Sequence, residues 1–272
     1  MLESTSASLT PKVVIVAGQP GAGKSALIEF SKLEFASQTA AVINGDEYRD
    51  FHPQSEDILL LDDKLFAERT DPDVREWTRR LFDSAIINRR NIIFEGTMRQ
   101  RKPIMDTITR LKQSGYAVEI LAIAVKKEFS ELGIIERYED QKRTRGGTGR
   151  WTPPSSHDEA YVNMPNTLAR IEAALPVDRV RVLTRSLECL YDNKLDVTQE
   201  VRKPPAAKQA IMDERARPLS KDEQENIKTA WERLYVIQAR RGAVGEEVQI
   251  VKKNLMEFNK IAEVNKDQGR GR

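Results

Sequence analysis

The feature that most constrains this chain is a glycine-rich stretch that follows a short apolar run near its N-terminus. The apolar run is Lys12–Ala17 (KVVIVA), which has the β-branched composition of a buried strand. The stretch that follows, Gly18–Ser25 (GQPGAGKS), satisfies the pattern GxxxxGK[ST], and a segment whose apolar residues have helical spacing comes next. This order of strand, loop and helix predicts a phosphate-binding P-loop and an α/β fold.

The chemistry of phosphate binding explains why this spacing matters. Glycines allow successive backbone N–H groups to turn inward around phosphate oxygens, and the helix that begins at the end of the loop adds the positive end of its dipole. Lys24 supplies a mobile charge to the β- and γ-phosphates, and the Ser25 hydroxyl can bind Mg²⁺. The motif therefore predicts ATP and Mg²⁺ as cofactors, bound by Gly18, Gln19, Pro20, Gly21, Ala22, Gly23, Lys24 and Ser25.

Short apolar runs alternate with longer amphipathic segments through most of the chain. Strands joined by helical crossovers form mainly parallel sheets, so we predict an α/β domain whose parallel sheet is flanked by helices. Two helices are predicted over Ser55–Arg90, separated near Asp71-Pro72. Gln141–Ser156 is rich in Gly, Pro, Thr and Arg, which predicts a long loop of functional importance.

The C-terminal part has a different organisation. Apolar density drops around Lys203, which predicts a linker, and two segments beyond it, Lys221–Arg240 and Glu246–Val264, have the apolar spacing of helices. Ser220 and Glu223 fit a capping box for the first of these helices. The predicted units are an N-terminal tail (1–11), the P-loop domain (12–200), a linker (201–219), a helical hairpin (220–266) and a frayed tail (267–272).

Composition excludes several classes of protein. There are 44 Lys and Arg against 42 Asp and Glu, so the net charge of +2 produces no field that would select nucleic acid. The apolar stretches are far shorter than the ~20 residues of a membrane span. The N-terminus lacks the features of a signal peptide, so a cytoplasmic protein without membrane partners is predicted. Cys189 is the single cysteine, which excludes an internal disulfide and predicts a small buried side chain.

Residues that follow the other predicted strands narrow the class of nucleotide-using protein. Ligands of open α/β sheets bind at the carboxyl ends of the strands, where Asp46 follows the second strand and Glu95 and Thr97 follow the third. A carboxylate at Asp46 can accept the proton of a substrate hydroxyl, although its position fits a turn or helix cap equally well. The chain has no NKxD motif of the kind that reads guanine in GTPases, and it lacks further helicase motifs, so a small-molecule kinase is favoured.

Four arginines lie on or after the helix that follows the fourth predicted strand: Arg137, Arg143, Arg145 and Arg150. Guanidinium groups on a loop can close over a triphosphate and neutralise the charge of the transition state. The alternative is a solvated basic loop, and for Arg143 and Arg145 both interpretations remain open.

Five segments together resemble the zeta toxins of bacterial toxin–antitoxin systems, in order and in spacing, from about Lys12 to Leu190. They are GQPGAGKSAL, NGDEYRDFHP, IFEGT, LGIIERYE and GRWTPPSSHDEAY. The resemblance implies a P-loop kinase that phosphorylates the 3′-hydroxyl of the amino sugar in UDP-N-acetylglucosamine and thereby blocks cell-wall synthesis. It also implies a partner, because a small helical antitoxin, epsilon, normally blocks the nucleotide site of the toxin.

The resemblance also implies roles for individual residues. Lys24 and Ser25 become the residues for ATP and Mg²⁺, and Asp46 becomes the general base that also contacts the substrate. Substrate contacts are implied for Glu95, Thr97 and Thr107. The two arginines that clamp the phosphates, which act in catalysis with Lys24 and Asp46, fall on Arg137 and Arg150.

Two departures from the family leave alternatives open. A substrate-binding glutamate expected before the EGT strand is absent, and the nearest positions are Asp83 and Ser84, so NAD or another nucleotide is an alternative acceptor. Short zeta toxins also lack the segment after Lys203, whose helices could inhibit the kinase in cis, dock an antitoxin, or pack on the far side of the sheet for stability. A non-catalytic ATP-binding protein that uses these helices for interaction is the other alternative. His52 and His157 are predicted to be non-catalytic.

Overall fold

A computed structural model of the protein describes residues 5–35, 39–194 and 204–269, without the side chains of 261–269. It contains a six-stranded sheet in the order β2-β3-β1-β4-β5-β6, in which β6 alone runs antiparallel to its neighbour. The strands are β1 (Lys12–Ala17), β2 (Ala40–Ile43), β3 (Asn91–Gly96), β4 (Ala117–Ile123), β5 (Arg179–Leu183) and β6 (Cys189–Lys194). The predicted fold class, a mainly parallel sheet flanked by helices with a helical C-terminal segment, is confirmed.

Helices cover both faces of this sheet, and more of them follow it in the chain. The helices are α1 (Lys24–Leu33), α2 (Gly45–Tyr48), α3 (Ser55–Asp62), α4 (Phe66–Ile87), α5 (Arg101–Gln113), α6 (Lys127–Thr144), α7 (Pro154–Ala174), α8 (Ala207–Ala216), α9 (Lys221–Arg240) and α10 (Glu246–Gly269). One apolar core lies between the sheet and helices α4, α5, α7 and α8, and a smaller core lies under α1. None of the described helices is long and apolar enough to cross a membrane.

The order of the strands positions the site. Strand β1 pairs with β3 on one side and with β4 on the other, and its residues Val13–Ala17 are fully buried. The order in which strands are added to the sheet therefore reverses at β1. Ligands of such sheets bind in the crevice outside the carboxyl ends of the strands at this point. The loop after β1 and the residues after β3 open into that crevice.

Two local predictions are corrected by the structure. The break between the helices of 55–90 lies at a 3₁₀ turn over Asp63–Leu65, not near Asp71-Pro72, because Asp62 accepts a hydrogen bond from the backbone of Lys64 and starts a new turn there. Pro72 lies inside α4. The predicted loop of 141–156 is shorter, 145–153, because α6 continues to Thr144.

The predicted linker is wrong over 207–216, where helix α8 packs into the main core. Ala207 and Ile211 are fully buried, and Glu172 accepts a hydrogen bond from the backbone N–H of Ala207. With two fully buried apolar positions, α8 has too weak a pattern to be found in the sequence.

Cys189 is exposed on strand β6, so the prediction of a buried thiol is also wrong. Residues 1–4, 36–38, 195–203 and 270–272 of the predicted units lie outside the described residues.

Helices α9 and α10 form a hairpin that packs on α6 and not on the far side of the sheet. The capping box of Ser220 and Glu223 is present, as predicted. Trp231 is fully buried in a cluster that includes Tyr138 of α6 and Trp151 of the loop after it. Burial of an aromatic side chain of this size is worth several kcal/mol, so the hairpin is firmly held against the element that follows β4.

Candidate active site

The P-loop is wound tightly enough to require glycine at two positions. Gly21 and Gly23 have φ angles of 75° and 93°, which side chains rarely tolerate. A Cβ atom at Gly21 would lie 2.0 Å from the carbonyl oxygen of Ser130 at the start of α6. The loop between β1 and α1 thus has the shape of a phosphate cradle, and ATP phosphates fit it.

Lys24 lies at the bottom of this cradle and is paired with a carboxylate from the neighbouring strand. Its Nζ is 3.3 Å from Oε1 of Glu95 and donates to the carbonyl oxygen of Gln19 at 3.2 Å. Glu95 lies opposite Val16 in the register of β3 and β1, which places both charges at the same edge of the sheet. Ser25 is exposed on the first turn of α1, in the position from which its hydroxyl can reach a magnesium ion.

Asp46 projects from the short helix α2, which follows β2. The N-cap of α2 is Asn44, whose side chain accepts from the backbone N–H of Asp46 at 3.1 Å. The carboxylate of Asp46 is therefore not used as a helix cap. Its Oδ1 accepts from Nε of Arg49 at 3.2 Å, and its Oδ2 lies 3.6 Å from Nη2 of Arg150.

Positive charge surrounds Asp46. Burial alone would raise the pKa of this carboxyl, but the charges of Arg150, Arg49, Arg137 and Lys24 outweigh burial and lower the pKa to about 2. Asp46 is thus ionised in the free protein at any pH near neutrality, which is the state that a general base requires.

Arg137 and Arg150 face the same space from α6 and from the loop after it. Nη2 of Arg137 donates to the Thr152 hydroxyl at 2.6 Å, and Nη1 of Arg150 donates to the carbonyl oxygen of Asp46 at 2.7 Å. Burial and the neighbouring Arg150 lower the pKa of Arg137 to about 10, so its guanidinium remains charged at neutral pH. Among the described residues, neither buried Nε has an acceptor, which leaves N–H donors for an anion.

These residues surround one cavity of about 480 Å³, a volume typical of small-molecule sites. The predicted site residues line this cavity, apart from Arg150 and most of the P-loop. The P-loop contributes Pro20 and Lys24, and Arg150 reaches the site through its contact with Asp46. The wall includes Pro20, Lys24, Asp46, Glu95, Thr97, Thr107 and Arg137. The Thr107 hydroxyl donates to the carbonyl oxygen of Pro103 at 2.8 Å, which leaves its lone pairs free for a donor.

The far end of the cavity contains two arginines that the sequence did not single out, Arg79 and Arg110. Asp83 lies between them: Oδ2 is 2.8 Å from Nη1 of Arg79, and Oδ1 is 2.5 Å from Nη1 of Arg110. The i, i+4 spacing of Arg79 and Asp83 was visible in the sequence, but Arg110 comes from α5 and joins them only in the fold. The carboxylate nearest to the expected glutamate is thus in the cavity and held by guanidinium groups.

Arg49 is buried and also lines the cavity. It connects Asp46 to Asp71 and to the Thr70 hydroxyl of α4. The remaining predicted candidates lie outside the cavity. Arg143 pairs with Asp140 and Arg145 with Asp50, and neither arginine lines the cavity. His52 and His157 are buried outside it, hydrogen-bonded to Asp73 and to the Ser130 hydroxyl respectively.

One known protein family covers most of this chain. The family model described as "Zeta toxin" matches residues 2–196, which is more than two thirds of the chain. The chain belongs to the zeta toxin family.

Two toxins of the family are each 28% identical to this chain over the aligned residues. The chain is 28% identical over 191 residues to "Toxin PezT" of Streptococcus pneumoniae, covering 70% of this chain and 75% of that protein. It is also 28% identical over 193 residues to "Toxin zeta" of Enterococcus hirae, covering 71% of this chain and 67% of that protein.

Solved structures extend the likeness beyond the sequence match. A structure from work on the PezAT chromosomal toxin–antitoxin system of Streptococcus pneumoniae superposes with a TM-score of 0.72 at 23% identity, over 88% of this chain and 90% of that chain. The complex AvrRxo1-ORF1:-ORF2 with ATP gives a TM-score of 0.56 at 13% identity, over 90% of this chain and 80% of that chain. The PezAT alignment covers 88% of this chain, whereas residues 1–203 make up only about three quarters of it. The alignment therefore includes part of the C-terminal helices, and the shared fold extends past Lys203.

Proposed function

We propose that this zeta toxin family member is an ATP-dependent kinase that phosphorylates the 3′-hydroxyl of the sugar in UDP-N-acetylglucosamine or a related UDP-sugar. The observation that carries the proposal is the single cavity in which Lys24, Asp46 and Arg137 meet. One side of it adjoins a phosphate cradle, and the other side is a pocket lined by hydroxyl and carboxylate groups. A protein that only bound ATP would not need an ionised carboxylate beside the cradle.

Each residue has a defined part in the proposed transfer. The P-loop and Lys24 hold the β- and γ-phosphates, while Mg²⁺ beside Ser25 would neutralise charge on them. Asp46 accepts the proton of the acceptor hydroxyl as its oxygen forms a bond to the γ-phosphorus, and the bond from phosphorus to the departing ADP oxygen breaks. Arg137 and Arg150 stabilise charge on the transferring group. Glu95, Thr97 and Thr107 orient the acceptor.

The far end of the cavity bears on the class of acceptor. Arg79 and Arg110 offer guanidinium donors there, since Asp83, together with Glu76 at Arg79, occupies only part of their hydrogen-bonding capacity. Guanidinium groups favour phosphate, which supports an acceptor with a diphosphate over a free sugar. UDP-sugars and NAD both meet this requirement, so NAD or another nucleotide is the second candidate acceptor.

Regulation is part of the proposal. The similar PezAT structure belongs to a toxin–antitoxin system, which supports an antitoxin as the partner of this chain, with blocked cell-wall synthesis as the effect of the free toxin. Inhibition in cis by occlusion of the acceptor cavity is not supported, because no cavity-lining residue comes from the described residues 204–269.

The proposal is tested by incubating the purified protein with Mg-ATP and a panel of UDP-sugars, NAD and nucleosides, followed by mass spectrometry. We expect a mass increase of one phosphoryl group on UDP-N-acetylglucosamine, located at the 3′-oxygen, and a far slower increase with the Asp46→Asn variant. Phosphorylation of NAD alone would establish the second candidate. ATP consumption without any phosphorylated acceptor would contradict both.

The low pKa of Asp46 makes a prediction about pH. Because kcat/KM for ATP reports groups of the enzyme before ATP binds, and Asp46 titrates at about 2 there, its protonation cannot reduce kcat/KM above about pH 4. We expect a rate profile without an acidic limb from Asp46 across the neutral range, measured by coupled ADP release. An acidic limb near pH 6 that moves in Asp46→Glu would contradict this prediction.

A further inference from the structure

A carboxylate that lies outside the catalytic cavity accepts hydrogen bonds from three donors. Asp63 lies in the 3₁₀ turn between α3 and α4, with its side chain nine-tenths buried. Its oxygens accept from the Tyr138 hydroxyl at 2.9 and 3.1 Å, from Nζ of Lys142 at 2.7 Å and from the backbone N–H of Gly149 at 3.0 Å. Burial and the Asp63 carboxylate raise the pKa of Tyr138, so its hydroxyl keeps the proton that it donates.

The donors connect this carboxylate to the segment that carries a phosphate-clamping arginine. Gly149 directly precedes Arg150, whose own backbone N–H donates to Oε1 of Gln141 at 2.7 Å. Two successive amides of the segment are thus bound to side-chain acceptors outside it. A Cβ at Gly149 would lie 2.8 Å from the carbonyl oxygen of Tyr138, so the segment is packed directly on α6.

Without such anchors the segment would have much freedom. It belongs to the loop 145–153, in which Gly146 and Gly147 have φ angles of 62° and 92° and face open space. Holding a guanidinium group in place costs conformational entropy, and a displacement of about 1 Å at a catalytic group can cost about 10²-fold in rate. The contact of Arg150 with Asp46 therefore depends on where residues 149 and 150 are held.

We propose that Asp63 is a positioning residue for phosphoryl transfer, which it serves by fixing the backbone of Gly149 and so the guanidinium group of Arg150. The inference rests on the proposed function, since it assigns Arg150 to the transferring phosphate. It also gives α6 a second part in the reaction, because Tyr138 and Lys142 hold Asp63 in place.

The test compares Asp63→Ala with two matched variants. Asp63→Ala is expected to lower kcat by about 10²-fold with KM for ATP nearly unchanged. Asp63→Asn keeps an oxygen for Gly149 and presents its amide to the Tyr138 oxygen, so it is expected to restore most of the activity. Asp140→Ala removes an exposed carboxylate of α6, bonded to Arg143, and is expected to behave like the wild type.

A double-mutant cycle separates positioning from a general loss of stability. If Asp63 acts through Arg150, Asp63→Ala will reduce kcat of an Arg150→Lys protein by less than about 3-fold. Effects that multiply in the double variant would overturn the proposal, as would a wild-type kcat in Asp63→Ala. Should Asp63→Ala fail to fold, Tyr138→Phe removes one donor to the same carboxylate, and the same cycle is read with it.

A second readout does not depend on the acceptor. Hydrogen exchange of the peptide 145–152 is expected to accelerate in Asp63→Ala and to stay slow in Asp63→Asn and Asp140→Ala, while unchanged exchange in Asp63→Ala would overturn the proposal. If the wild type phosphorylates no UDP-sugar, the proposed function fails in the wild type itself. The double-mutant cycle of Asp63 and Arg150 is then measured as the rate of phosphorylation of the acceptor found in the panel, or as the rate of ATP hydrolysis. In either form it still tests the role of Asp63.

Discussion

Replacing Asp46 with asparagine is expected to lower kcat for phosphoryl transfer by about 10²-fold or more, while ATP binding survives. Asparagine has the shape of aspartate and can still accept from Nε of Arg49, which donates to Oδ1 at 3.2 Å. What it lacks is the negative charge that, in the proposed mechanism, takes up the proton of the acceptor. The loss should therefore appear in kcat and hardly in KM for ATP.

The measurement is steady-state ADP release with the acceptor identified by the panel, together with ATP titration by calorimetry. Asp50→Asn is the matched control, because Asp50 lies on the neighbouring turn and pairs with Arg145 outside the cavity. The control should retain wild-type kcat. If Asp46→Asn also turned over like the wild type, Asp46 would not be the base.

Replacing Arg150 with lysine is expected to reduce kcat by about 10²-fold although the charge is kept. Arg150 presents one N–H to the carbonyl oxygen of Asp46 at 2.7 Å and a second nitrogen 3.6 Å from its carboxylate. A lysine ammonium is a single point and cannot maintain both contacts and reach a phosphoryl oxygen with a third donor. The effect should fall on kcat more than on KM for ATP.

Arg145→Lys provides the comparison within the same loop. Arg145 pairs with the exposed Asp50 and lies outside the cavity, so its replacement should change kcat less than about 2-fold. Both variants are measured in the same assay, with thermal unfolding as a check on folding. Equal activity of Arg150→Lys and wild type would show that the loop is only a solvated basic surface.

Local patterns in the sequence predicted the elements that carry their own signals. The P-loop and its lysine depend on residues adjacent in the chain, and the backbone angles of Gly21 and Gly23 agree with the motif. The capping box at Ser220 is equally local. Helix α8, which the sequence analysis predicted as linker, is the opposite case. Ala207 and Ile211 become core residues only because α7 and β5 pack beside them.

The sequence by itself determined the α/β class, the P-loop, and the strand ends from which Asp46 and Glu95 project, since each follows from the residues of one segment. Tertiary structure alone decided that Arg110 reaches Asp83, and that Asp63 holds the amide of Gly149, 86 positions away. These contacts join groups from different helices and loops. Pairings of that kind depend on how the elements pack, and a single sequence carries no periodic signal for them.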